Sequence, residues 1–287
     1  MQNISYHLTH LTLTAADQGR MRSFYRDVLG LIETPVTETQ YTYQFTTQDA
    51  PFLTLNFTGQ PTTEQHSGLY HFALLFPNAS ALASVVARLL SYNFPLNGGD
   101  HDVSEAIYLN DPDGNGIELY HDRPTQTWEW DNHLVKMGTS DVDIVGLLEQ
   151  RPAQWQGFPS GVMIGHVHFV GRKVAEGDAF FIEQLQQDLT ANLGNQAHFY
   201  SHNHYHHHHA FNTWYGPHVT PRAVTDPGLA DWTVMVDAAY FTQLQTTLAD
   251  KLSKTTPTEL HLPDPFGGTL IVQKQPKAPW FKRLFHI

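Results

Sequence analysis

Cysteine is absent from the 287-residue chain. That excludes a disulfide-stapled secreted scaffold, and any bound metal must be held by His and carboxylate side chains. Charge is sparse at 15%, and basic charge sparser: 16 Lys and Arg stand against 28 Asp and Glu, for a formal net charge of −12. A chain this acidic repels nucleic acid phosphates and anionic lipid, so neither is an expected partner. No apolar run reaches the ~20 residues that span a bilayer. The opening MQNISYHLTHLTLTAADQGR has no apolar core behind a basic start, so no secretory signal is expected. The expectation is a soluble cytoplasmic protein.

What the chain does hold is apolar bulk and histidine. Hydrophobic residues make up 41% and aromatics 12%, enough for a packed core, and the length suits one large domain or two ordinary ones. Histidine occurs 19 times, with a cluster HFYSHNHYHHHH over 198–209. That cluster is internal and runs on into AFNTWYG. Its plainer reading is a surface loop that scavenges metal.

The same small pattern recurs four times. Segments 10–31, 71–93, 166–189 and 232–252 each open with alternating apolar residues and then change to helical spacing. In the first, Met21, Phe24, Val28 and Leu31 fall on one helical face. Short strand-like stretches follow every helix: YTYQF and FLTLNF, AIYLND and GIELYH, AHFYS and HHAFNTW, ELHLPD and TLIVQ. DPDGN and DPFGG are strong turn sequences, because Gly and Asn tolerate positive φ and Pro presets the first turn residue. The expected fold class is α+β: four βαβββ units in two tandem domains, at 1–125 and 161–287. Residues 126–160 are the expected linker, with a short helix starting at Ser140 or Asp141.

FYRDVLGL in the first unit and SEAIYLNDPDGNGIELYHDRP in the second resemble the vicinal oxygen chelate superfamily, which contains glyoxalase I, bleomycin-resistance proteins and extradiol dioxygenases. Four units, and the stretch YHHHHAFNTW, are similar to the catechol 2,3-dioxygenase-like group. The resemblance covers about residues 8–273. It implies glyoxalase-like domains whose paired units form half-open barrels around a divalent metal.

In that family the ligands lie on the first and last strands of a unit. In the second unit those positions hold His71 and Glu118, and Tyr108 stands at the family tyrosine ten residues before the glutamate. The third ligand depends on which unit pairs with the second. Pairing in sequence order gives His10. Pairing of units two and three gives His166, places His168 nearby, and is the preferred assignment. The fourth unit offers Trp232 and Ile271 at the matching positions and completes no site alone.

Two His and one carboxylate on one face of a metal suit a non-haem Fe(II) centre that activates dioxygen, although Mn, Zn or Ni accept the same donors. The resemblance implies ring cleavage of a catechol-like diol with O2 as co-substrate. The catalytic candidates are a base in the His207–His208 segment, taken as His208, with Tyr108 on the substrate oxygen and His101 as a further proton donor. The alternatives are a glyoxalase-like lyase or isomerase, or a small-molecule binding protein. Edge strands of incomplete barrels make a homo-oligomer plausible.

Overall fold

The computed structural model describes residues 5–276. The termini of both expected domains, 1–4 and 277–287, lie outside the described residues. The first unit runs β1 (Tyr6–Thr14), α1 (Gln18–Arg22, continued by a wider π turn over Ser23–Val28), β2 (Ile32–Pro35), β3 (Gln40–Gln44) and β4 (Leu53–Asn56). The second comprises β5 (His66–Phe76), α2 (Ala79–Ser91), β6 (Asn97–Asp100), β7 (Ser104–Asn110) and β8 (Gly116–Asp122). A joint follows, with β9 (Trp130–Asp131), β10 (Leu134–Val135) and α3 (Ile144–Glu149). The third unit has β11 (Met163–Val170), α4 (Ala175–Asp178, continued by a π turn over Ala179–Gln184), β12 (Asp188–Asn192), β13 (Ala197–Ser201) and β14 (His209–Asn212). After the short β15 (Thr220–Pro221) the fourth has β16 (Gly228–Val236), α5 (Ala238–Thr247), β17 (Lys254–Thr255), β18 (Glu259–Pro263) and β19 (Thr269–Lys274). No described helix is long and apolar enough to cross a membrane.

Local chemistry accounts for these elements. The helix α2 buries Leu82, Val85, Val86 and Leu89 at three- and four-residue spacing, and Asn78 caps it by accepting from the Ala81 N–H at 2.9 Å. Both turn sequences close on an aspartate. Asp111 accepts from the backbone N–H groups of Asp113 and Asn115 and from the Tyr25 hydroxyl at 2.9–3.0 Å. Asp264 accepts likewise from Phe266, Gly268 and the Trp232 indole. Gly114 and Gly267 take the positive φ these turns require, +91° and +96°. The joint helix begins at Ile144 rather than at Ser140 or Asp141. Asp143 is its cap, accepting from the Gly146 N–H, while the Ser140 backbone is held in a bridge with Asp100.

The units pair across the chain, not in sequence order. One sheet runs β17-β18-β19-β16-β1-β4-β3-β2, joining units four and one. The other runs β12-β13-β14-β11-β5-β8-β7-β6, joining units three and two. Neither sheet is confined to 1–125 or to 161–287. Each curls into a half-open barrel. In the second sheet β5 and β11 meet antiparallel at the centre, with His71 opposite His168 and Ala73 opposite His166. Period-two alternation divides this sheet. Phe72, Leu74, Ile117, Leu119, Val167 and Phe169 enter the main core, which also takes residues of the first sheet. His71, Glu118, His166 and His168 line the concave side.

Candidate metal centre

Three donors converge on that side. Glu118 Oε2 lies 3.0 Å from His71 Nε2 and 3.1 Å from His166 Nε2, and the two imidazole nitrogens are 3.3 Å apart. All three side chains are buried. Burial alone would raise the Glu118 pKa, but the His166 and His71 imidazoles outweigh it and hold the carboxyl well below its usual range. Burial pushes His71 down, against the opposing pull of Glu118. An ionised carboxylate and neutral imidazoles are the protonation states that bind a divalent cation. Two nitrogens and one oxygen, all within 4.8 Å of one another, suit a borderline or hard divalent metal.

Backbone detail positions the donors. A bulge at Gly165 separates Ile164 from His166, and a Cβ at Gly165 would fall 1.9 Å from the Tyr120 hydroxyl. Gly116 sits opposite His71 in β8, and a Cβ there would collide with the Tyr70 carbonyl at 2.3 Å.

The register exposes an asymmetry. Exchanging β5 with β11 about their central pair, Phe72 opposite Val167, maps His71 onto His166 and Ala73 onto His168. Glu118 pairs with Ala73, and the matching partner of His168 is Ala210. The position that mirrors the carboxylate therefore carries a methyl group. His168 fills that side instead. Its Nε2 accepts from the Asn212 amide at 2.9 Å, while Asn212 Oδ1 accepts from the Trp214 N–H. Burial, with His71 and His166 next to it, keeps His168 neutral, its pKa well below normal.

The donors open into a cavity of about 640 Å³. Tyr108 and His101 line it. The Tyr108 hydroxyl is 2.7 Å from His101 Nε2, and His101 Nδ1 is 2.9 Å from the Gly138 carbonyl. Nδ1 therefore carries the proton it donates to Gly138, and Nε2 accepts from Tyr108. Burial, then the Glu118 charge, pushes the Tyr108 pKa well above its normal value, so its hydroxyl stays protonated. Met137, Gly138 and Thr139 of the joint form part of the wall. Residues 126–160 are thus packed structure as well as connection.

The remaining sequence candidates separate. His10 lies in the other sheet, bonded to the Pro51 carbonyl and to Thr54 Oγ1, away from the three donors. His208 does not line the cavity: its Nδ1 pairs with Ser201 Oγ at 2.8 Å and its ring packs beside Tyr6 and Tyr205. Its neighbour His207 takes that place, with its ring centroid 4.1 Å from that of His166. The reason is local. Asn203 and His204 adopt positive φ, and 202–208 is turn and bend ahead of β14, so strand alternation does not govern the run.

Behind His207 lies a chain that sequence reasoning missed. His207 Nδ1 is 2.7 Å from His206 Nδ1, and His206 Nε2 is 2.9 Å from Asp122 Oδ1. The Tyr205 hydroxyl donates to the other oxygen of Asp122 at 3.0 Å. Asp122 is the last residue of β8, and its partners come from the third unit, so nothing local in sequence signals the pairing.

Comparison with known proteins agrees with this architecture. The profile of the Glyoxalase/Bleomycin resistance protein/Dioxygenase superfamily matches residues 7–119. Sequence similarity extends further, over 240 residues at 36% identity to a Bacillus subtilis (strain 168) protein, covering 80% of this chain and 82% of that one. The chain belongs to this superfamily. That relative is named Catechol-2,3-dioxygenase. Two solved structures share the fold at low identity. One, from Bacillus subtilis subsp. subtilis str. 168, has a TM-score of 0.58 at 11% identity over 95% of this chain and 86% of its own. The other, glyoxalase I from Zea mays, has a TM-score of 0.53 at 12% identity over 94% and 93%.

Proposed function

We propose that the protein is a metal-dependent ring-cleaving dioxygenase of extradiol type, acting on a catechol-like diol, with His71, His166 and Glu118 as metal ligands. The observation that carries this reading is the methyl group of Ala210 at the position that mirrors Glu118 across the β5–β11 pair. A four-ligand lyase centre needs a donor there. A centre held by three protein donors would instead leave a bound metal open to exogenous oxygen ligands. The relative named Catechol-2,3-dioxygenase supports the same class.

Bound by these residues, a divalent metal, with Fe(II) the best match to dioxygen chemistry, would supply Lewis acidity and a route for electrons between diol and O2. The chain supplies proton handling. The Asp122 carboxylate only accepts, so in the neutral pair His206 donates from Nε2 and accepts at Nδ1. His207 then donates from Nδ1, which leaves its Nε2 as a bare lone pair for the diol proton. Burial keeps His207 well below the normal imidazole pKa, so it waits neutral. Tyr108, whose proton points to His101 Nε2, offers its oxygen to a diol hydroxyl.

The test is oxygen uptake with a panel of catechols and hydroquinones, after anaerobic loading with Fe(II), Mn(II), Zn(II) or Ni(II). Uptake with Fe(II) or Mn(II), and its loss in His71→Ala, is the expected result. Metal binding without uptake for any diol would favour a lyase or isomerase, and ligand binding that survives His71→Ala would favour a binding protein.

A further inference from the structure

We infer that the cavity selects an uncharged aromatic diol carrying an extended apolar substituent, and discriminates against diols that bear a carboxylate. The diol rests on the ring-cleavage reading above; the charge and size preference rests on the cavity itself.

Among the described residues that line it there is no Lys, Arg or Asp, and Glu118 is the one carboxylate. The imidazoles provide no replacement cation. His71 and His166 face Glu118. His168 Nε2 accepts from the Asn212 amide, and His207 Nδ1 is taken up by His206. Both nitrogens of His101 are engaged, by Gly138 and Tyr108. A substrate carboxylate moved into this space would lose its water and meet no counter-ion, and such a burial is strongly unfavourable. The net charge of −12 disfavours anions near the molecule as a whole.

The size argument is separate. Clefts of roughly 300–1,000 Å³ hold drug-sized ligands, so about 640 Å³ exceeds what a single dihydroxybenzene ring fills. The surplus space has a direction. Tyr70 packs against His71 and His168 at one end, and against Trp214 and Tyr215 at 5.1 and 5.7 Å between ring centroids. Trp214 is 46% exposed, so this aromatic wall runs from the donors to solvent. An alkyl or aryl substituent laid along it buries apolar area on both sides.

The experiment measures dissociation constants for three probes with the Zn(II)-loaded protein, where no turnover occurs: 4-butylcatechol, 3-(3,4-dihydroxyphenyl)propanoate of similar length, and catechol. The butyl compound is expected to bind at least ~10-fold tighter than either of the others. In Leu193→Arg, which places a guanidinium on the lining, the preference for butyl over propanoate should shrink as the acid gains affinity. Equal or tighter binding of the propanoate by the native chain, or no gain from the butyl chain over catechol, overturns the inference. Oxygen uptake with the Fe(II)-loaded protein is read in parallel. Uptake without the binding preference sinks this inference alone, whereas the preference without uptake sinks only the ring-cleavage reading.

Discussion

In the proposed mechanism, the nitrogen of His207 that takes the diol proton is selected by Asp122 through His206. Removing His207 and removing its support should therefore have different sizes of effect. His207→Gln is expected to lower kcat by ~10²–10⁴-fold, the range for loss of a general base. Asp122→Ala should lower kcat by about 10-fold, less than His207→Gln, with KM and bound metal unchanged, because His206 can then adopt either tautomer. Steady-state kinetics beside metal analysis checks both, and a fall in metal content that tracks the fall in kcat would mean that Asp122 supports the ligands instead. At this scale the sequence was informative where a motif is contiguous. SEAIYLNDPDGNGIELYHDRP carries Tyr108, Glu118 and Asp122 in one string, yet only the first two had roles that could be read from it. The choice between His207 and His208 was illegible, because it is made by the positive-φ turn at Asn203 and His204.

At the scale of elements, the segment between β13 and β14 does two jobs. Its cavity side presents His207. Its other side packs His202 and His208, with His209 at the start of β14, around Tyr6 of β1, whose hydroxyl lies 2.8 Å from His209 Nε2. This imidazole cluster is part of the contact between the two sheets. Burial pushes His202 down to about 4, despite the opposing charge of Asp237. A group whose folded pKa is depressed contributes stability above its unfolded value of about 6.5, and that contribution is lost as pH falls toward 4. Stability to urea should therefore fall on acidification from pH 6.5 to 4. The fall should be shallower in His202→Phe, whose ring keeps the packing on Tyr240 and cannot take a proton. An identical acid slope in the variant would show that His202 is not a source of the loss. The sequence revealed the central strands and α2 through apolar period, but not β2, β6, β12 or β17. These are short polar strands that form the four ends of the two sheets, and they carry little hydrophobic alternation.

At the scale of the whole molecule, four similar units left their pairing open, since register between β5 and β11 is set by contacts about a hundred residues apart and no local pattern encodes it. The observed pairing gives both sheets strands from each half of the chain. We propose that 1–125 and 161–287 are sequence halves that fold together across the 126–160 joint. Expressed separately, each half would expose the central edge of two sheets and should aggregate or remain unfolded, while co-expression should recover a soluble complex. Circular dichroism and size-exclusion chromatography of the halves, alone and together, check this; two independently folded halves would contradict it.

The central claim is that one metal is held between units two and three. It is tested most directly by metal content, measured by mass spectrometry after loading, in the native chain, His166→Ala and His10→Ala. The account predicts near-stoichiometric metal in the native chain and in His10→Ala, with most of it lost in His166→Ala. Metal retained in His166→Ala and lost in His10→Ala would contradict it.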